Sequence, residues 1–171
     1  MRRGHHGVTM IELLITLGII LILASIAFPL SKVSVKRSKE LELRQTLRTF
    51  RTAIDNFRRD WARDGSILLG PLCVKNQVSC KEHTSITGYP KTLDDLLGLE
   101  LSGAEATLQE ENPIRRYLRR VPIDPMTDTQ EWGLRCYQDE ADVEDWCGED
   151  VFDVHTKSTR TAINGTRYRD W

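Results

Sequence analysis

One carboxylate, Glu12, stands inside a run of twenty-three otherwise uncharged residues from Val8 to Leu30. A carboxylate in hydrocarbon costs several kcal/mol, ~3 on insertion scales, and such a residue normally has a partner. The run offers none. If the chain were cut after Gly7, Val8 would carry a free amine and Glu12 would lie about one helical turn from it. The amine of one copy could then neutralise Glu12 of a neighbouring copy, which is the chemistry of assembly rather than of catalysis. Four cysteines, Cys73, Cys80, Cys136 and Cys147, form no C-x-x-C, and beyond the first seven residues the only histidines are His83 and His155. That set is too sparse for a zinc site. An even number of cysteines suits disulfides in a domain outside the cytosol, and local pairing gives Cys73–Cys80 and Cys136–Cys147 among the three possible connectivities. The catalytic alternative takes Cys136 or Cys147 as nucleophile and His155 as base; no nucleophile elbow or phosphate loop accompanies it. Between Asp139 and Asp153 there are eight carboxylates and no Lys or Arg. Calcium takes six to eight oxygens, and Asp139, Asp142, Asp145, Asp150 and Asp153 are its candidate ligands. The alternative is a solvated acidic loop clamped by a disulfide.

The elements that position these residues follow from periodicity. As a helix, the run from Val8 to Leu30 would be about 35 Å long, enough to cross a bilayer core of roughly 30 Å. Leu43, Leu47, Phe50, Ile54, Phe57 and Trp61 then recur at helical spacing, with Arg44, Arg48, Arg51, Arg58 and Arg59 on the other face. Gly65 is a stop signal. One helix is therefore expected over 8–64, with Pro29 able to kink or unwind it and an exposed, charged neck over 31–42. The stripe could also be a coiled-coil seam, but six positions followed by a strand-bearing region favour a core helix.

The stretch from Gly65 to Gly88 reads as loop. Thr92, with Asp95 three residues on, reads as the capped start of a short helix, and Asn112-Pro113 opens another through Ile114, Tyr117 and Leu118. The segment Val121–Asp128 reads as a rigid turn with two prolines. Glu131–Gln138 and Val151–Thr156 alternate as strands, and Asn164-Gly165 marks a turn. The fold class is α+β: a long N-terminal helix, its first half transmembrane and its second amphipathic, packed on a small antiparallel β-sheet head.

With 171 residues, 40% of them hydrophobic, and a net charge of −1, the chain has one-domain length and no global affinity for polyanions. The charge is unevenly placed: ten Lys/Arg against four Asp/Glu from Ser31 to Arg63, then the acidic stretch. The two can meet within a subunit or between subunits. The cluster Arg115-Arg116 and Arg119-Arg120 reads as an exposed polar face rather than a nucleic-acid site.

Three readings of the N-terminus compete. A secretory signal would use Arg2-Arg3 and cleave near Ser25-Ile26-Ala27, but its apolar run is long and holds a carboxylate. A plain anchor leaves Glu12 unpaired. The third, cleavage after Gly7, supplies its partner. Here G-V-T-M-I-E-L-L resembles the type IV prepilin cleavage and methylation motif shared by type IV pilins and type II secretion pseudopilins. Gly7 matches the last leader residue, Val8 the new N-terminus, Glu12 the fifth mature residue and Pro29 a frequent proline. Val8 stands where the family usually has Phe, and His6 where it usually has Lys or Arg. His5 and His6 belong to the leader. Further on, Y-P-K-T-L-D-D-L-L, V-P-I-D-P, the Trp-bearing strand and the terminal Trp171 resemble the G-type, major pseudopilin.

That resemblance implies the pilin fold and the segments 1–7 leader, 8–30 assembly half of the helix, 31–64 amphipathic half and 65–171 periplasmic head. It implies a structural subunit, not an enzyme, cleaved and N-methylated at Val8, single-pass in the bacterial inner membrane. The implied partners are further copies of the chain, other pseudopilins, a prepilin peptidase and the inner-membrane secretion platform, with no nucleic acid and no required cofactor. In the family's calcium loop, this chain has His155-Thr156-Lys157-Ser158-Thr159-Arg160, which lacks the carboxylate. A type IV pilin of a surface fibre is the alternative.

Overall fold

A computed structural model of the chain describes residues 9–63, 69–101, 113–140 and 145–171; the side chains of residues 26–30 lie outside that description. Internal contacts divide the chain into two units, Met1–Lys39 and Glu40–Trp171. Helix α1, Met10–Trp61, has 52 residues and contributes to both. It is assigned without a break at Pro29, and its expected stop at Gly65 lies outside the described residues.

In the first unit, the apolar side chains of α1 are exposed along the described stretch, among them Ile11, Leu14, Ile19 and Ile22. Among the described residues no helix is long and apolar enough to cross a membrane. The expected span 8–30 extends past the described side chains at both ends.

The second unit is built on the predicted stripe. Leu43, Leu47, Phe50, Ile54, Phe57 and Trp61 are all at most 2% exposed. Fully burying one such side chain contributes ~1.5–3 kcal/mol, so the stripe is the main source of stability in this unit. Phe50 meets Trp132 edge-on at 5.0 Å, and Phe57 meets Tyr117 at 5.3 Å. The stripe is thus a core helix and not a coiled-coil seam. Leu96, Leu99, Val151, Val154 and Tyr168 complete the core.

Two small antiparallel sheets of the second unit share its core with the α1 stripe. Strands β1 (Leu99–Glu100) and β2 (Ile114–Arg115) pair with Leu99 opposite Arg115. Strands β3 (Trp132–Arg135) and β4 (Asp153–Thr156) pair with Trp132 opposite Thr156 and Arg135 opposite Asp153. The last two strands lie within the segments expected from alternation. Gly133 in β3 is needed because a Cβ there would come within 2.2 Å of the His155 ring across the ladder.

Three local expectations are corrected. The stretch read as loop contains α2 (Pro71–Lys75) and α3 (Gln77–His83). They are short, and the Cys73–Cys80 disulfide joins them. The helix expected from Thr92 is a single 3₁₀ turn, Asp94–Leu96, capped by Leu93 rather than Thr92, although the Asp95 carboxylate does accept from both the N–H and the hydroxyl of Thr92, at 2.8 and 2.9 Å. The helix expected after Pro113 is instead strand β2, because the backbone of 114–115 finds ladder partners in β1. The turn at Asn164-Gly165 is present, with Gly165 at φ 86° and Thr161 bridged to Arg167.

Candidate functional site

Glu12 lies in the first turn of α1 and is exposed. The Thr9 hydroxyl oxygen accepts from the Glu12 N–H at 3.4 Å, and the Thr9 carbonyl accepts from the Leu13 N–H at 3.1 Å. Thr9 is therefore the cap of α1 and Glu12 its third residue, the Thr-x-x-Glu spacing of a capping box. The local signal for it is the T-M-I-E run itself. A carboxylate here also suits the positive end of the helix dipole. Among the described residues no cation pairs with Glu12. Gly7 and Val8 lie outside the described residues.

Sequence reasoning also missed a set of polar ties that fix α1 within its compact unit. Glu40 accepts from the Tyr168 hydroxyl at 2.9 Å and the Ile163 N–H at 2.8 Å. Arg51 grips both carboxylate oxygens of Asp153, at 2.9 and 3.0 Å, and donates to the Trp171 main-chain oxygen at 2.7 Å. Arg44 stacks over the Trp171 ring at 4.3 Å. At the far end Asp60 accepts from Arg115 and from the Tyr117 hydroxyl, both at 2.8 Å, and Tyr117 in turn accepts from the Trp61 indole at 2.9 Å. Burial first, and then the Asp60 hydrogen bond, raise the Tyr117 phenol well above its usual range, so it stays a donor. Burial and the hydrogen bond to Glu40 push Tyr168 up to about 12.

Cys73 is bonded to Cys80 and Cys136 to Cys147. The catalytic alternative therefore has no thiol to use. His155, which would serve as its base, is only 7% exposed. Burial, then the neighbouring Arg135 and Arg169, lower it to about 4, so it is neutral at physiological pH. Its Nδ1 has no hydrogen-bond partner among the described residues.

Among the described residues, no three of the calcium candidates Asp139, Asp145, Asp150 and Asp153 form a tight carboxylate group. Asp139 accepts from the Cys136 N–H and Asp150 from the Tyr137 N–H and the Thr87 hydroxyl. Asp153 is held by Arg51, Asp145 is exposed, and Asp142 lies outside the described residues. Among the described residues, the grouping of metal-ligand types is Cys136, Asp139 and Cys147, and its two sulfurs are joined to each other. A disulfide offers no thiolate to a metal.

The arrangement thus combines a capped, carboxylate-bearing helix start with exposed apolar side chains and a disulfide-stapled unit built on the same helix. The prokaryotic N-terminal methylation motif matches residues 2–28. No curated protein and no solved structure matches the chain.

Proposed function

Given a chain that carries the prokaryotic N-terminal methylation motif, which supports a type IV pilin-like or pseudopilin precursor, we propose a structural subunit of the type II secretion pseudopilus. A prepilin peptidase removes residues 1–7 and methylates the Val8 amine. The mature chain waits as a single-pass protein of the inner membrane with its disulfide-bonded unit in the periplasm. It then polymerises with further copies and with other pseudopilins on an inner-membrane platform. Catalysis has no part in this, and neither does a required cofactor or a nucleic acid; calcium is not needed to hold a loop that a disulfide already closes.

One observation carries the reading. Glu12 stands four residues after Val8 in the sequence, inside the matched motif, with no cation among the described residues paired to it. Its energetic need is met by a neighbour's amine, so pairing rewards assembly rather than folding. Two measurements test this. Intact mass and N-terminal sequencing of membrane material should find methylated Val8; an N-terminus at Phe28 restores the secretory-signal reading. Glu12→Ala should be cleaved and should keep the Glu40–Trp171 unit folded, yet yield few or no filaments in a shearing assay, with Glu12→Asp intermediate. Normal filament yield from the alanine variant refutes the role of Glu12.

A surface-fibre pilin is the second reading, favoured by the disulfide-bounded segment from Cys136 to Cys147. The head motifs Y-P-K-T-L-D-D-L-L and V-P-I-D-P weigh toward the pseudopilus. Expression alongside secretion genes or alongside pilus genes separates the two.

A further inference from the structure

Among the described residues, the Glu40–Trp171 unit carries an exposed apolar face. Ile86, Tyr137, Phe152 and Trp146 are 79%, 53%, 40% and 37% exposed. Tyr137, Phe152 and Ile86 are held together by ring contacts and a shared cleft, and Trp146 is tied to Asp150, which lines that cleft. Tyr137 and Phe152 meet at 5.5 Å and both pack on buried Tyr89, at 5.6 and 5.2 Å. Arg58 lies 4.7 Å over Tyr89 and 5.9 Å over Tyr137, which stiffens the cluster from below. Ile86 and Tyr137 line one cleft of about 80 Å³ together with Glu149. The Trp146 indole is pinned by the Asp150 carbonyl at 2.7 Å. Contiguous exposed aromatic surface of this kind marks an interaction site.

Glu149 lines the cleft of this face, and Glu140 and Asp145 lie close to Tyr137 and Trp146 in sequence. Glu140, Asp145 and Glu149 are exposed, and none of them forms an ion pair among the described residues; Glu149 takes only the Gln138 amide, at 3.0 Å. The complementary surface is on the same chain. Lys32, Lys36 and Arg37 on α1 are exposed and likewise form no ion pair among the described residues. They are interleaved with exposed Val33 (49%), Val35 (57%) and Leu41 (62%). The two surfaces match in both respects, apolar against apolar and acid against base. The cluster around Arg116 and Arg119 matches less well, since Arg115 beside it is already engaged by Asp60.

We propose that the Ile86–Tyr137–Phe152–Trp146 face docks on the basic neck, residues 32–41 of α1, of a second copy of the chain. This deepens the assembly reading and rests on it. These carboxylates steer the encounter and fix register, and the aromatic cluster supplies the contact area.

The test uses the full chain in membrane vesicles. Tyr137 is replaced by the photoreactive p-benzoylphenylalanine, the copy is mixed with an isotopically heavy wild-type copy, and adducts are mapped by mass spectrometry. The expected adduct joins position 137 of one isotope to residues 32–41 of the other. Because Tyr137 also stacks on Tyr89, the same probe at Ile86 provides a second placement. Glu149→Lys should lower the adduct yield by about three- to fivefold, the worth of one exposed ion pair, and Lys36→Glu in the partner copy should restore it. Adducts on residues 113–120, on another protein, only within one chain, or absent at both positions overturn the proposal, as does a charge reversal without effect. Adducts that survive Glu12→Ala in a fully assembling variant refute the assembly role of Glu12 and leave this face standing; lost adducts in filaments with intact Glu12 refute this face alone.

Discussion

Replacing Phe57 by alanine tests whether the helix stripe holds the second unit together. The ring is fully buried, lies 6.1 Å from Trp61 in a stacked arrangement and meets Tyr117 edge-on at 5.3 Å. Large-to-small changes of a buried Phe cost ~3–5 kcal/mol, combining the lost transfer free energy with the cavity left behind. The two ring contacts, each worth ~0.5–1.5 kcal/mol, place Phe57 toward the upper part of that range. Collapse around the cavity is restricted because Tyr117 is fixed by Asp60 and by the Trp61 indole. Against a whole-domain stability of ~5–15 kcal/mol, the loss is a large fraction. For a unit of this size it lowers Tm by roughly 10–20 °C. The assay is thermal unfolding of the full chain in detergent, followed by near-ultraviolet circular dichroism. Two controls bracket it: Phe57→Leu, which keeps most of the volume and should cost about 1–2 kcal/mol, and Phe152→Ala, at a position 40% exposed, which should cost less than Phe57→Ala. A Phe57→Ala loss under about 1 kcal/mol refutes the placement of the stripe in the core.

Three other outcomes follow from the geometry. Because His155 is held near 4 when folded, against 6.5 unperturbed, the unfolded chain binds the extra proton between those values. Stability is therefore full above about pH 6.5 and falls by up to about 3 kcal/mol as pH drops toward 4; His155→Gln should flatten that part of the pH profile of unfolding, and an unchanged slope refutes the assignment. Gly133→Ala should destabilise markedly, since the new methyl would lie 2.2 Å from the His155 ring, and His155→Ala in the same chain should recover much of the loss in a double-mutant cycle. Removing Cys136–Cys147 by paired serine substitutions should cost about 2–3 kcal/mol for a separation of 11 residues, read as a lower denaturation midpoint; no change would show that the loop is not constrained in the unfolded chain.

The sequence stripe Leu43–Trp61 was readable because 3.6-residue periodicity is a local property that tertiary packing only had to accept. Strands β3 and β4 were readable for the same reason at period two. Failure came where partners distant in sequence decide. Ile114 and Arg115 follow an Asn-Pro helix signal, yet their backbone groups pair with Leu99 and Glu100, an alternative no local propensity reveals. Helices α2 and α3 are too short for periodicity to register, although Pro71 at the first helical position was a usable sign. The site was readable in its charges but not in its ties. Glu12 stood out as a carboxylate in an apolar run, whereas Glu40 and Arg51 gave no hint of their partners over a hundred residues away.

Those ties alter how the second unit answers to force. Glu40, its first residue, is held by Tyr168, while Arg44 and Arg51 hold Trp171. The two ends of the unit's chain are buckled together, and everything between them forms a closed belt. A pull delivered along α1 therefore reaches Glu40 before the buried stripe, and Arg44 and Arg51 share the load within it. The load falls on several hydrogen bonds and a stacked ring at once, and the helix cannot be stripped away residue by residue while they hold. Opening the belt from the other side has the converse effect: displacing Trp171, by a bulky fusion for instance, would slacken the grip on Arg44 and Arg51 at the base of the unit. A tag attached directly after Trp171 is thus a mechanical intervention on the helix, not a neutral label.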